Sequence, residues 1–281
     1  MVLVHGLASS HVHWRGVSQA LGRDYRVQVP DLPGFGRSPL AGRDANLRAG
    51  ARILDALLDR LGEPAILVGN SAGALISMMV ATERPAAVAA LVLVAPPAPH
   101  PLRTPLEPGL AMLFSAYCWP GLGELAREAW VRLHGPEGSV QSMLQICCYS
   151  PHRVSEEIVE AALGLSWERS GSRDDVRAFL ALYRSAWLLL LNSWRYDRLV
   201  RRITPPTLVL HGMHDRLVPA AVAQRLRRLR ADWSFVNMPA AGHMPHLEDP
   251  DQFVGVLQGW LEEVDGRSQV LTDGGRVGRE W

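Results

Sequence analysis

Within the first 96 residues, short apolar runs of strand length alternate with a helical stripe, and this alternation narrows the possible folds more than any other feature. Met1–His5, Tyr25–Pro30, Ala65–Gly69 and Ala90–Ala95 (Ala-Leu-Val-Leu-Val-Ala) read as strands. Between them Leu47, Ala51, Leu54, Leu58 and Leu61 recur at spacings of three and four, one face of an amphipathic helix. Strands this apolar need cover on both sides, and strand–helix–strand order supplies it. The expected class is α/β: a mostly parallel sheet with helices on both faces.

The pattern stops at Pro96-Pro97-Ala98-Pro99-His100-Pro101, which neither continues a strand nor opens an ordinary helix. From there to about Thr204 the chain reads as helical and holds Trp119, Trp130, Trp167, Trp187 and Trp194. Strand character returns at Thr207-Leu208-Val209-Leu210, after Pro205-Pro206, and again at Trp233–Val236. A closing helix is expected over Pro250–Val264, with proline at its start. The expected organisation is a core from 1–96 and 204–264, a helical lid over 97–203, and a flexible tail over 265–281, rich in glycine and arginine. No internal repeat is present.

Composition excludes several classes. Apolar residues at 48% and charged residues at 20% suit a soluble globular chain of 281 residues. A net charge of +1 argues against a nucleic-acid partner. All 29 basic residues are arginine, which removes any chemistry needing a lysine amine. Cys118, Cys147 and Cys148 supply neither a disulfide framework nor a CxxC metal site. No apolar run is long enough to span a membrane, and the first residues lack the basic lead of a signal peptide, so a cytoplasmic protein is expected.

Gly69-Asn70-Ser71-Ala72-Gly73 is a GxSxG placed directly after one predicted strand and before a helical run from Ala74 to Thr82. That context puts Ser71 on a sharp strand-to-helix turn, with small residues letting strand and helix approach and free amides beside the hydroxyl. A neutral serine needs a base, and the base needs an orienting acid. Asp215 follows the strand Leu208-Val209-Leu210, at the carboxyl end where reactive groups collect in open parallel sheets; alone it would equally suit a helix cap or turn. His243, in Gly242-His243-Met244-Pro245-His246, is the expected base and His246 its rival. His211 and His214 flank the acid as packing residues, with no third ligand at metal-site spacing.

The strand ending in His5-Gly6 would present the main-chain N–H of Leu7 toward the serine. With that of Ala72 it would hold the oxyanion formed on attack at a carbonyl. Asp31-Leu32-Pro33-Gly34-Phe35-Gly36 lacks the third glycine of a dinucleotide fingerprint and reads as a tight turn.

Taken together, His5-Gly6, Asp31-Leu32-Pro33-Gly34-Phe35-Gly36, the turn at Ser71, Gly212-x-x-Asp215 and Gly242-His243 resemble the α/β-hydrolase superfamily in order and spacing. The resemblance covers roughly 1–96 and 204–264, and places the lid after what would be the family's sixth strand. It implies Ser71 as nucleophile, Asp215 as acid, His243 as base, and Leu7 and Ala72 as oxyanion donors. Two departures stand out. The family's two strands before the His-Gly strand are missing here, as a misassigned start codon or a truncated chain would give. Asn70 stands where His is commoner; Asn also occurs in relatives that hydrolyse carbon–carbon bonds, though their glycine-rich stretch after His-Gly is absent.

The implied reaction is two-step acyl transfer on a small to medium, mainly hydrophobic ester, with no metal or organic cofactor. Met112, Phe114, Tyr117, Trp119 and Trp130 would either line an apolar pocket or form the lid's own core. The alternatives are a C–C bond hydrolase, an acyltransferase or perhydrolase on the same triad, or a silent ligand-binding member of the fold. The expected partner is a small-molecule substrate, with no membrane span; the oligomeric state is left open.

Overall fold

The strands β1 (Val2–Val4), β2 (Ala65–Asn70), β3 (Val88–Val94), β4 (Thr207–Gly212) and β5 (Ser234–Met238) form one sheet in that order, each pair parallel. The computed structural model describes residues 1–99, 108–219 and 221–274. Helices α1 (Arg15–Leu21) and α2 (Leu47–Leu61) separate β1 from β2, and α3 (Ala72–Glu83) joins β2 to β3. Between β3 and β4 the chain leaves the sheet for α4 (Pro108–Tyr117), α5 (Leu122–Cys147), α6 (Glu156–Glu168), α7 (Arg173–Leu191) and α8 (Ser193–Arg201). Helix α9 (Ala221–Leu229) joins β4 to β5, and α10 (Pro245–Glu248) and α11 (Pro250–Gly274) close the chain.

The period-two alternation of the strands sorts the core into two layers. Val2, Val4, Leu67, Leu91, Leu93 and Val209 pack against α2, α3, α7, α8 and α9. Leu3, Val68, Val92, Val94, Leu208 and Leu210 pack on the other face against α1 and α11. Each such side chain contributes about 1.5–3 kcal/mol by leaving water, which is why both faces carry helices. Helix α2 shows how local signals set the boundaries. The Asn46 side chain accepts from Ala49 N at 2.9 Å, and Gly62 ends the helix at φ +70°. Leu47, Ala51, Leu54 and Leu58 form its buried stripe, while Leu61 is only partly buried.

Two expectations need correction. Tyr25–Pro30 lies extended beside β1 but is not a strand: it makes a single bridge, Gln28 to Val2, through Leu3 N→Gln28 O and Gln28 N→Met1 O, both 2.9 Å. A three-residue β1 offers no longer ladder, and Pro30 lacks an N–H. The closing helix does not stop at Val264, because α11 continues to Gly274 with no proline to end it. Residues 275–281 of the expected tail, and His100 and Pro101 of the proline-rich exit, lie outside the described residues. Among the described residues no helix is long and apolar enough to cross a membrane.

Candidate active site

Ser71 occupies the one-residue junction between β2 and α3, with φ +54° and ψ −117°. A non-glycine residue there is strained, by about 1–3 kcal/mol, and the close fit around it explains why the strain persists. A Cβ on Gly73 would lie 2.3 Å from Val4 O, so the helix can start against β1 only with glycine at that position. Ser71 N donates to Val94 O at 2.9 Å, anchoring the junction to β3. Ala72 opens α3, so its amide is one of the first-turn donors that find no partner within the helix.

The turn after β1 abuts this serine, since a Cβ on Gly6 would stand 3.1 Å from Ser71 Cβ. His5 organises that turn. Its buried ring accepts at Nε2 from Leu32 N (2.9 Å), which leaves Nδ1–H to donate to Gly6 O (2.8 Å). Burial lowers its pKa to about 4, keeping the neutral tautomer that both bonds require. Leu7 follows and wedges between the sheet core and the aromatic cluster of the inserted helices. Asp31 latches the neighbouring turn, accepting from His11 N (2.8 Å), His11 Nδ1 (2.7 Å) and Arg37 N (2.8 Å).

Past the end of β4, Asp215 meets His243, with Nδ1 to Oδ2 at 2.7 Å and both side chains buried. The other carboxylate oxygen accepts from the amides of Leu217 and Val218, each at 2.8 Å. Burial alone would raise the Asp215 pKa. The charge of His243, its hydrogen bond and the Val218 amide outweigh that and hold it below the usual carboxylate range. Asn70, beside the serine, donates from Nδ2 to His243 O at 3.1 Å and so ties the β2 end to the imidazole's own loop. Among the described residues Ser71 Oγ is not hydrogen-bonded to His243, a looseness common before substrate fills such a site.

The remaining histidines separate cleanly. His246 is stacked on Trp14 at 3.9 Å and edge-on to Phe253, away from the Asp215 carboxylate. His211 donates Nε2–H to Val218 O at 2.8 Å and shapes the Asp215 loop. His214 is exposed and stacks on Tyr149 at 3.8 Å.

Sequence reasoning passed over the support for the His243 loop. Glu248 is buried, with Oε1 accepting from Gly242 N (2.6 Å) and Oε2 from Ser150 N (2.8 Å). One carboxylate thus joins the histidine loop to the segment following α5. His243 N donates to Cys147 O at 2.6 Å across the same seam. A Cβ on Gly242 would come 2.6 Å from Cys147 O, and one on Gly212 would come 2.0 Å from Gly242 O. The signal in the sequence was a carboxylate closing the short run Met244-Pro245-His246-Leu247-Glu248, five residues after His243; nothing local announced its partners.

Phe114 and Tyr117 pack with Phe179 and Tyr183 into a cluster of the inserted helices, which touches Leu7. Met112 and Trp119 are 75% and 66% exposed and stand outside it, and Trp130 stacks on His134 instead.

A family model described as alpha/beta hydrolase fold matches residues 1–250. The chain is 27% identical over 267 residues to a pimeloyl-[acyl-carrier protein] methyl ester esterase of Nitrosomonas europaea, covering 90% of this chain and 92% of that protein. It is 30% identical over 277 residues to a 2-hydroxy-6-oxo-2,4-heptadienoate hydrolase of Pseudomonas putida, covering 94% and 90%. A thermophilic esterase from Thermogutta terrifontis superimposes with a TM-score of 0.70 at 25% identity, over 94% of this chain and 89% of that one.

Proposed function

This chain belongs to the α/β-hydrolase-fold family, and we propose that within it the protein is a serine hydrolase cleaving a carboxylic ester through an acyl-enzyme on Ser71. The observation that carries this reading is the buried 2.7 Å bond between His243 Nδ1 and Asp215, which leaves Nε2 to serve as base. His243 takes the proton of Ser71 as the hydroxyl attacks the carbonyl, then returns it to the leaving alkoxide. Water activated by the same imidazole releases the acid. Asp215 fixes the tautomer and stabilises the imidazolium. The amides of Leu7 and Ala72 receive the oxyanion, and losing one such donor typically costs about 10²–10³ in rate.

The substrate we infer is small to medium and mainly hydrophobic, because Leu7 meets the sheet core on one side and the Tyr117–Phe179 cluster on the other. The inserted helices serve as the lid over 97–203. No step of this mechanism calls on a metal or organic cofactor. We place the enzyme in the cytoplasm, where its three unpaired cysteines suit a reducing compartment. Labelling by a fluorophosphonate probe tests the reading: wild type labels and Ser71→Ala does not. Equal labelling of both would remove Ser71 from the chemistry, and a series of p-nitrophenyl esters would report pocket depth.

A second reading draws on the dienoate hydrolase relative and on Asn70. On the same triad the enzyme would cleave a carbon–carbon bond next to a ketone. Loss of the yellow absorbance of a dienoic diketo acid, with no turnover of p-nitrophenyl esters, would favour it.

A further inference from the structure

The charge balance of the whole chain conceals a strong local surplus. Between Ser193 and Trp233 there are nine arginines against three aspartates, in a chain whose total is only +1. Asp197 is engaged by Arg225 and Asp232 by Arg230, each at 2.6 Å, and Asp215 is buried on His243. On this stretch no carboxylate is left for Arg195, Arg198, Arg201, Arg202, Arg227 or Arg228, all of them exposed.

Geometry gathers these side chains. At 100° per residue, Trp194, Arg195, Arg198, Arg201 and Arg202 fall within roughly 120° of the α8 circumference. The opposite side carries the buried Tyr196 and Val200. Arg198 lies over the Trp194 ring, 5.5 Å from its centroid. Helix α9 is joined to α8 by the Arg225–Asp197 pair and by Arg230 Nη1 donating to Val200 O at 2.9 Å, and Arg228 falls within about 60° of Arg225 on the α9 circumference, whereas Arg227 lies over the Phe235 ring at 5.0 Å.

Beside the arginines lies an apolar edge. The last two turns of α7 expose Trp187 (38%), Leu188 (68%) and Leu191 (66%), and Trp194 (67%) follows three residues later. One turn earlier on the same face, Arg184 reaches Trp119 O at 3.0 Å, and Trp119 is itself exposed. Exposed leucine and tryptophan rimmed by arginine are the two halves of an interfacial surface: the rings and leucines enter the headgroup–acyl boundary while the guanidinium groups meet phosphate. A nucleic acid would satisfy the arginines but offer nothing to Leu188 and Leu191.

We propose that the end of α7 together with α8 and α9 docks the protein on an anionic bilayer surface. This docking is independent of the reaction proposed above. Arg195, Arg198, Arg201 and Arg202 contact lipid phosphate, and Trp187, Leu188, Leu191 and Trp194 insert shallowly.

The test is co-sedimentation of the full chain with extruded vesicles, either phosphatidylcholine alone or an equal mixture with phosphatidylglycerol. The expected result is binding at least about ten-fold tighter to the mixed vesicles, weakened by salt. Tryptophan emission should shift to the blue on binding. Arg195→Glu/Arg198→Glu/Arg201→Glu should lose about 10²-fold in affinity, and Leu188→Ser/Leu191→Ser should lose the blue shift. Far-UV circular dichroism and the urea unfolding midpoint should be unchanged in both variants, showing that they fold. Equal binding to both vesicle types, or full binding by the arginine variant, would overturn the proposal. So would absence of vesicle binding, whether alone, with arginine-dependent binding of duplex DNA, or with a dimer that the leucine variant dissociates.

Discussion

The amide of His243 is held at 2.6 Å by the carbonyl of Cys147, the last residue of α5. The proposed base therefore rests on the inserted helices as well as on its own loop. The carboxylate of Glu248 reinforces that seam by gripping Gly242 N and Ser150 N together. Positioning of this kind is energetically consequential, since a shift of about 1 Å in a catalytic group can cost about 10² in rate.

Glu248→Gln leaves one of the two amides facing an NH2 group that cannot accept. It should lower kcat by about 10–100-fold with KM for a p-nitrophenyl ester within about two-fold. One buried amide left unsatisfied should also cost about 1–3 kcal/mol in urea unfolding. Unchanged kcat with reduced stability would make Glu248 a purely structural residue.

Asp215→Asn removes the acceptor that selects the His243 tautomer, and kcat should fall by about 10³–10⁴ in steady-state assays. The amides of Leu217 and Val218 would still find an oxygen, so the protein should fold with near wild-type circular dichroism.

Ser71 sits at φ +54°, where glycine is at ease and alanine is not. Both Ser71→Gly and Ser71→Ala should be inactive. The glycine variant should be the more stable by about 1 kcal/mol, read from denaturant midpoints at constant slope. Equal stability would mean that the junction stores no strain.

His5 and His13 are lowered to about 4 by burial, and His246 is pushed well below its ordinary value of 6.5 by the same cause. All three stay neutral in the fold, whereas unfolding returns them to about 6.5. Their contribution is thus complete above about pH 6.5 and is lost as pH falls toward 4, by about 1.4 kcal/mol per pH unit for each histidine. Urea unfolding across that range should show the slope. His246→Phe, which keeps the stack on Trp14, should remove about a third of it.

Gly212→Ala would drive a methyl group to 2.0 Å from Gly242 O. The Asp215 and His243 loops would have to part, so activity should drop by about 10² while fluorophosphonate labelling slows in parallel.

What the sequence made legible was what rests on local pattern. The alternating strands, the Asn46–Gly62 limits of α2 and the strand–serine–helix junction are all written in consecutive residues, and so are the loops that end in Asp215 and His243. The failures came where tertiary partners decide. Tyr25–Pro30 has strand composition but only three residues of β1 to pair with. Glu248, Cys147 and Ser150 converge from positions about a hundred residues apart, which no spacing rule detects. The arginine face of α8 disappeared into a balanced total because the compensating acids lie elsewhere in the chain.

The seam at Cys147–Ser150 also limits how this enzyme can be re-engineered. Exchanging the whole insertion for that of a relative would delete the carbonyl and the amide on which the histidine loop leans. A graft that ends before residue 147 and resumes after residue 150 keeps that bearing surface while still replacing the aromatic cluster around Tyr117 and Phe179.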